Sequence, residues 1–136
     1  SFPRTILKLG ASQDTLDVVD DQVGQPTWAH DVAQMIAALV SQGAPAGIVH
    51  ATNSGQTTWW GFAQRLFELA GWDPARITPV SSQKFIRPAP RPAWSVLGHA
   101  NWARLGMNTP RHWRDALDEA WDQELSPFAQ EINSAQ

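Results

Sequence analysis

The chain is 136 residues long, 43% apolar and 17% charged, so it can bury a core of its own and lacks the composition of a disordered segment. Ten Lys and Arg against 13 Asp and Glu leave a net charge of −3; no basic run occurs, which argues against a nucleic-acid or anionic-membrane partner. Cysteine is absent, which excludes disulfides, thiolate metal sites and cysteine nucleophiles, and no apolar run approaches the roughly 20 residues of a membrane span.

Taken in chain order, Phe2, Ile6, Leu7 and Leu9 read as the end of a short helix stopped by Gly10. Leu16-Asp17-Val18-Val19 alternates as a strand does, and Asp20-Asp21-Gln22-Val23-Gly24 is rich in turn formers. Pro26 forces Gln25 into extended backbone. Thr27 or Trp28 then leads into a helix with Val32, Met35, Ile36, Leu39 and Val40 on one face, ended by Gly43 and Pro45. Gly47-Ile48-Val49-His50-Ala51 reads as a buried strand and Asn53-Ser54-Gly55 as a turn. Thr57 or Thr58 caps the next helix, where Trp59, Phe62, Ala63, Leu66, Phe67 and Ala70 recur at helical spacing before Gly71 closes it.

Ile77-Thr78-Pro79-Val80 is a further strand, with Pro79 at an edge or an end. Arg87-Pro88-Ala89-Pro90-Arg91-Pro92 cannot be a helix interior, because each proline removes a donor and clashes with the preceding turn. Ser95-Val96-Leu97 reads as a brief strand, followed by a short helix around Ala100 to Leu105 that Gly106 stops. Thr109 and Pro110 supply an N-cap and an N1 proline for a last helix with Trp113, Ala116, Leu117, Ala120, Trp121 and Leu125 on one stripe. The tail from Ser126 is polar and is expected to fray. These elements give an α/β fold of three or four short strands and about four helices, with a domain over residues 1–125 and a frayed tail over 126–136. So few strands suit a satellite domain, or part of a sheet completed elsewhere. The opening Ser1-Phe2-Pro3, without Met, fits a fragment, a processed product or a cloning scar. With no signal-peptide pattern, a cytoplasmic location is expected.

Several residues could carry chemistry. Asp17, Asp20 and Asp21 crowd one strand end, where acid/base work and ordinary turn chemistry both use carboxylates; the structural reading is preferred. His30, His50, His99 and His112 have no metal-ligand spacing, and no serine sits in a G-x-S-x-G elbow. Eight tryptophans invite a sugar-stacking reading, but Trp59, Trp113 and Trp121 lie on apolar helix stripes and read as core, whereas Trp28 and Trp94 flank proline-bearing loops that could face a ligand. The loop Pro90-Arg91-Pro92-Ala93-Trp94-Ser95 is the most informative. Prolines on both sides hold Arg91 extended, so its guanidinium suits a phosphate or diphosphate. A rigid surface linker would carry the same spacing.

Four segments then resemble one family. Asp20-Asp21-Gln22-Val23-Gly24-Gln25-Pro26-Thr27-Trp28 with Asp31-Val32-Ala33 is similar to the D-D-Q-x-G-x-P-T-[YW] … D-[VL]-A segment of dTDP-4-dehydrorhamnose reductases, sugar-nucleotide members of the extended short-chain dehydrogenase/reductase superfamily. Gly47-Ile48-Val49-His50 through Gly55-Gln56-Thr57-Thr58-Trp59 continues the likeness. Ala89-Pro90-Arg91-Pro92-Ala93-Trp94-Ser95-Val96-Leu97 resembles the P-A-x-R-P-x-x-S-x-L signature, and Trp113-Arg114-Asp115-Ala116-Leu117 the closing helix.

The resemblance implies the C-terminal, substrate-binding portion of a Rossmann-type enzyme about twice this length. Its N-terminal half would carry the Gly-rich turn, the NADPH and the Tyr-x-x-x-Lys pair; this chain, with no tyrosine and no G-x-x-G-x-x-G, would hold no catalytic residue and no cofactor. The implied reaction of the whole enzyme reduces the 4-keto group of dTDP-4-dehydro-6-deoxy-L-mannose to give dTDP-L-rhamnose. Carried over by residue, Arg91 would take the diphosphate and Pro92 and Ser95 would shape its loop. Gln22 and Gly24 would face the nucleotide-sugar, with Thr27, Trp28 and Trp94 beside it. Partners would be a dTDP-sugar and the chain's own N-terminal Rossmann half, with a homodimer a further expectation from exposed apolar surface. Gln34 follows Asp31-Val32-Ala33 with no glutamate nearby, so the magnesium that some members hold through glutamates is not carried over. Other readings are a different sugar-nucleotide reductase or epimerase, a non-catalytic reductase-like regulatory subunit, and a tryptophan-rich carbohydrate module. The last fits the tryptophan count and not the helix placement.

Overall fold

The computed structural model describes residues 1–135. Along them run α1 (Phe2–Ser12), β1 (Leu16–Val19), β2 (Val23–Gly24), α2 (Ala29–Ser41), β3 (Thr57–Thr58), α3 (Trp59–Leu69), β4 (Ile77–Val80), α4 (Ala100–Arg104), α5 (Trp113–Ala120) and α6 (Ser126–Ser134). Single 3₁₀ turns cover Pro74–Arg76 and Ser82–Lys84, and a π turn over Trp121–Leu125 joins α5 to α6. The α/β class is as expected, but the strands form two separate pairs. β1 and β4 are parallel, with Leu16 opposite Ile77 and Val18 opposite Pro79, whereas β2 and β3 are antiparallel. A parallel pair needs a crossover, and here the crossover contains α2 and α3.

The core forms around α3. Thr58 caps it by accepting from the Gly61 N–H at 3.1 Å, as its residue type dictates. Gly71 at φ +74° ends it, so that the Trp72 N–H reaches back to the Phe67 carbonyl. Between these caps Ala63, Leu66 and Phe67 are fully buried, packed against Leu7 of α1, Leu16 and Val18 of β1, Ile77 of β4 and Trp113 and Leu117 of α5.

Six sequence expectations need correction. Gly10 lies inside α1 and does not stop it. A Cβ there would come within 2.6 Å of the Trp72 ring and 2.7 Å of Phe67, so the glycine serves close packing. Residues 47–51 form no strand. A strand requires a hydrogen-bonded neighbour, and none lies beside this segment among the described residues. Instead the Ile48 carbonyl accepts from Asn101 and the His50 carbonyl from Trp102 Nε1, leaving Ile48 78% exposed. Ser95–Leu97 forms no strand; the single bridge to Val23 falls one residue earlier, at Trp94. The last stripe begins at His112, whose side chain accepts from the Arg114 N–H, and not at Thr109-Pro110; Ser54 pairs with His112 and holds the preceding residues extended. Ser126–Ser134 of the expected frayed tail is instead α6, with Ala129 buried and Phe128 and Ile132 packed on the core, while Gln136 lies outside the described residues. On α2 only Met35 of the expected apolar face is buried, while Ile36 and Val40 stand exposed.

One buried polar network ties distant segments. Asp31, near the start of α2, accepts from Arg111 Nε and Nη2, each at 2.8 Å, and from Asn53 at 2.6 Å. Asn53 is fully buried and accepts the Trp28 N–H through its side chain. The Arg111 hydrogen bonds, more than the opposing burial, hold the Asp31 carboxyl below its ordinary 3.8.

Two outcomes follow. Gly10→Ala should destabilise the fold by about 1–3 kcal/mol through overpacking, read from urea midpoints; an unchanged midpoint contradicts this packing. Asp31→Asn should cost about 1–3 kcal/mol near neutral pH. Because the folded carboxyl titrates below the unfolded one, that stabilisation is complete above about pH 4 and lost as pH falls through the folded value. The stability gap between parent and variant should therefore narrow on acidification, and a constant gap would contradict the role given to Asp31.

Candidate functional site

The site is built where β2 and the N-terminus of α3 meet the long loop after β4. Three aspartates anchor the first part of that loop and the β2–β3 pair beside it. Asp21 accepts from Ser81 Oγ at 3.1 Å and from the Ser82 N–H and Oγ, each at 2.9 Å, and the backbone Ser82 bond first of all lowers its pKa. Asp17 pairs with Lys84, and Asp20 accepts from Thr58 Oγ1 at 2.6 Å. These carboxylates are therefore structural anchors, the reading preferred from their turn position.

The far end of the loop is sewn onto β2. The Val23 N–H donates to the Ala93 carbonyl at 2.8 Å, and the Ser95 N–H donates to the Val23 carbonyl at 2.9 Å. Gln25 finishes the seam with its side-chain amide, donating to the Leu97 carbonyl at 3.1 Å and accepting the Leu97 N–H at 2.8 Å. Gly24 permits this approach, since a Cβ there would meet Ser95 Oγ at 3.0 Å.

Between the two anchorages the loop arches over two cavities. The smaller, about 270 Å³, is lined by Gln22, Gly24, Thr57, Thr58, Ser95 and Pro92 among others; the larger, about 500 Å³, by Val18, Val19, Phe85, Ile86, Arg87 and Pro90 among others. Gln22, Trp59 and Arg91 belong to both and form their common wall. The structure thus brings together five of the expected residues, Gln22, Gly24, Arg91, Pro92 and Ser95.

Three others are elsewhere. Thr27 Oγ1 donates to the Gln25 carbonyl and accepts the Asn53 N–H. Trp28 stacks on His30, donates Nε1 to Glu124 and lies under Arg111. Trp94 is 58% exposed and lines neither cavity. Conversely, Trp59 and Arg87 line the site without having been picked out. Trp59 shares helical spacing with the core residues of α3, yet it occupies the first turn, where the helix emerges from the core; it is 38% exposed and packs 4.7 Å from Phe2. Its neighbour Trp60 is the one turned inward, donating Nε1 to the Ile77 carbonyl.

The electrostatics favour an anion. No carboxylate lines the smaller cavity, and the one in the larger, Asp17, is paired with Lys84. Arg65, Arg76, Arg104 and Arg111 are each engaged by hydrogen bonds, and Arg4, Lys8 and Arg114 lie over aromatic rings. Arg87 and Arg91 alone among the described cationic side chains have neither a hydrogen bond, an ion pair nor a ring contact. No group of three or more residues suited to a metal ion occurs among the described residues.

The sequence profile of the family described as the RmlD substrate binding domain matches residues 1–126. A dTDP-4-dehydrorhamnose reductase of Streptomyces griseus is 48% identical over 125 residues, covering 89% of this chain and 41% of that protein. A dTDP-4-keto-6-deoxy-D-glucose reductase of Streptomyces niveus is 45% identical over 121 residues, covering 89% of this chain and 42% of its own. Among solved structures, a dTDP-4-dehydrorhamnose reductase of Bacillus anthracis in complex with NADP superposes with a TM-score of 0.83 at 29% identity, covering 90% of this chain and 43% of that one. The chain spans about two-fifths of the length of these relatives. With its fold, its loop signature and its profile in agreement, the chain belongs to the RmlD substrate binding domain family.

Proposed function

We propose that this chain is the nucleotide-sugar-binding part of a dTDP-4-dehydrorhamnose reductase, acting in the cytoplasm with a companion N-terminal Rossmann half that binds NADPH. The whole enzyme would reduce dTDP-4-dehydro-6-deoxy-L-mannose to dTDP-L-rhamnose. One observation carries the reading: Arg91, clamped by Pro90 and Pro92, stands unpaired in the wall common to both cavities. An extended sugar nucleotide has a dianionic linker between two uncharged ends, and a guanidinium between two cavities matches that order. The relatives described above bear names that share a dTDP-linked sugar and a reduction, which supports the same substrate class here.

The residues of this chain do not fit the nicotinamide cofactor. A dinucleotide site needs a glycine-rich strand-to-helix turn, whereas β3 passes into α3 through Thr57-Thr58-Trp59. The chain also has no tyrosine to pass a proton. Its part in the reaction is therefore to bind and orient: Arg91 neutralises the diphosphate, Pro92 and Ser95 set the loop, and Gln22, Gly24 and Trp59 shape the walls. Thymidine bears a methyl group where uridine has none, and the apolar lining of the larger cavity suits it.

Titration of the chain with dTDP, UDP and free rhamnose, followed by calorimetry, tests this. dTDP should bind more tightly than UDP, and rhamnose weakly. Arg91→Ala should weaken dTDP binding by about 1.5–3 kcal/mol, the range for a charged hydrogen bond. Equal affinity for UDP would instead indicate a different sugar-nucleotide enzyme; no nucleotide binding would indicate a non-catalytic interaction subunit.

A further inference from the structure

The two cationic side chains without partners lie on the same loop, four residues apart. Arg87 and Arg91 both line the larger cavity, and the backbone bends at Pro88 and Ala89 between them. A straight polyproline segment would advance about 12 Å over four residues at roughly 3.1 Å each, so the bend helps bring the two side chains to one mouth. Pro88 and Pro90 restrict the loop before any ligand arrives, which lowers the entropy lost on binding.

Two like charges facing one cavity repel each other, and neither is paired with a carboxylate: Asp17, the one acid in the cavity wall, is held by Lys84. Such an arrangement gains most from a ligand that carries more than one negative charge. We propose that Arg87 is a second diphosphate-binding residue, sharing the linker with Arg91. The inference rests on the functional reading above and extends it. Arg91 stands in the wall of both cavities and Arg87 in that of the larger one alone, so a linker shared by the two would sit at the junction of the cavities and extend along the Arg87 wall of the larger one.

The test is calorimetric titration of the unaltered chain, Arg87→Ala and Arg91→Ala with dTDP and dTMP. Arg87 has no intramolecular partner, so its variant should keep the parent's urea midpoint. It should lose about tenfold or more in dTDP affinity, equivalent to about 1.4 kcal/mol or more, and its preference for dTDP over dTMP should shrink. Parent-like dTDP binding by Arg87→Ala alongside weakened binding by Arg91→Ala would overturn the second-residue assignment and leave the functional reading standing. Absence of dTDP binding by the unaltered chain would overturn both.

Discussion

The site depends on the seam between β2 and the segment 93–97. Two backbone hydrogen bonds join Val23 of β2 to Ala93 and Ser95 as in a sheet, but the pairing then passes to a side chain: the Gln25 amide donates to and accepts from Leu97 as another strand residue would. Pro26 makes this substitution intelligible. It has no N–H and it forces Gln25 to be extended, so the main chain cannot continue the ladder and the glutamine side chain does. With the loop tied at Ala93–Leu97 and, through Asp21 and Asp17, at Ser81–Lys84, the intervening prolines have little freedom. Arg91 is thereby presented at a set place without a hydrogen bond, ion pair or ring contact of its own.

That isolation has an electrostatic logic. Most carboxylates around the loop are already satisfied by hydroxyls, backbone N–H groups or a lysine, and the other arginines are committed to structural partners. Arg111 shows the alternative use of the same side chain: gripped in bidentate fashion by Asp31, it binds α2 to the segment before α5. A guanidinium left without an acid in a fold with 13 acidic residues is available to a ligand. Next to it, Trp59 gives the two cavities a shared aromatic wall.

Much of this was legible in the residues themselves. α3 announced both of its caps and its apolar spacing, and β1 and β4 were readable as alternating or apolar runs bounded by turns. β2 and β3 are two residues long each, too short for any period to register. The segment 47–51 has strand-like side chains but no adjacent strand, and α4 takes its carbonyls through Asn101 and Trp102. From Ser126 onward a polar average hid the pattern Phe128, Ala129 and Ile132, which is enough to seat α6 against the core, with Arg4 and Lys8 over the Phe128 ring. At the site, Arg91 stood out because prolines flank it. Trp59 did not, since first-turn residues keep the helical period after the helix has left the core. Thr27 and Trp28 illustrate the converse: they adjoin the β2 loop in sequence, yet they are bonded to Asn53 and Glu124 and line neither cavity.

The central claim, that a proline-clamped guanidinium between two cavities grips the linker of an activated deoxysugar, is tested most directly by a crystal structure of the chain grown with dTDP. The account predicts phosphate oxygens within hydrogen-bonding distance of the Arg91 guanidinium, with the nucleotide lodged against Trp59 and the 93–97 seam intact. Density for the nucleotide elsewhere, with Arg91 directed into solvent or onto a carboxylate, would contradict it.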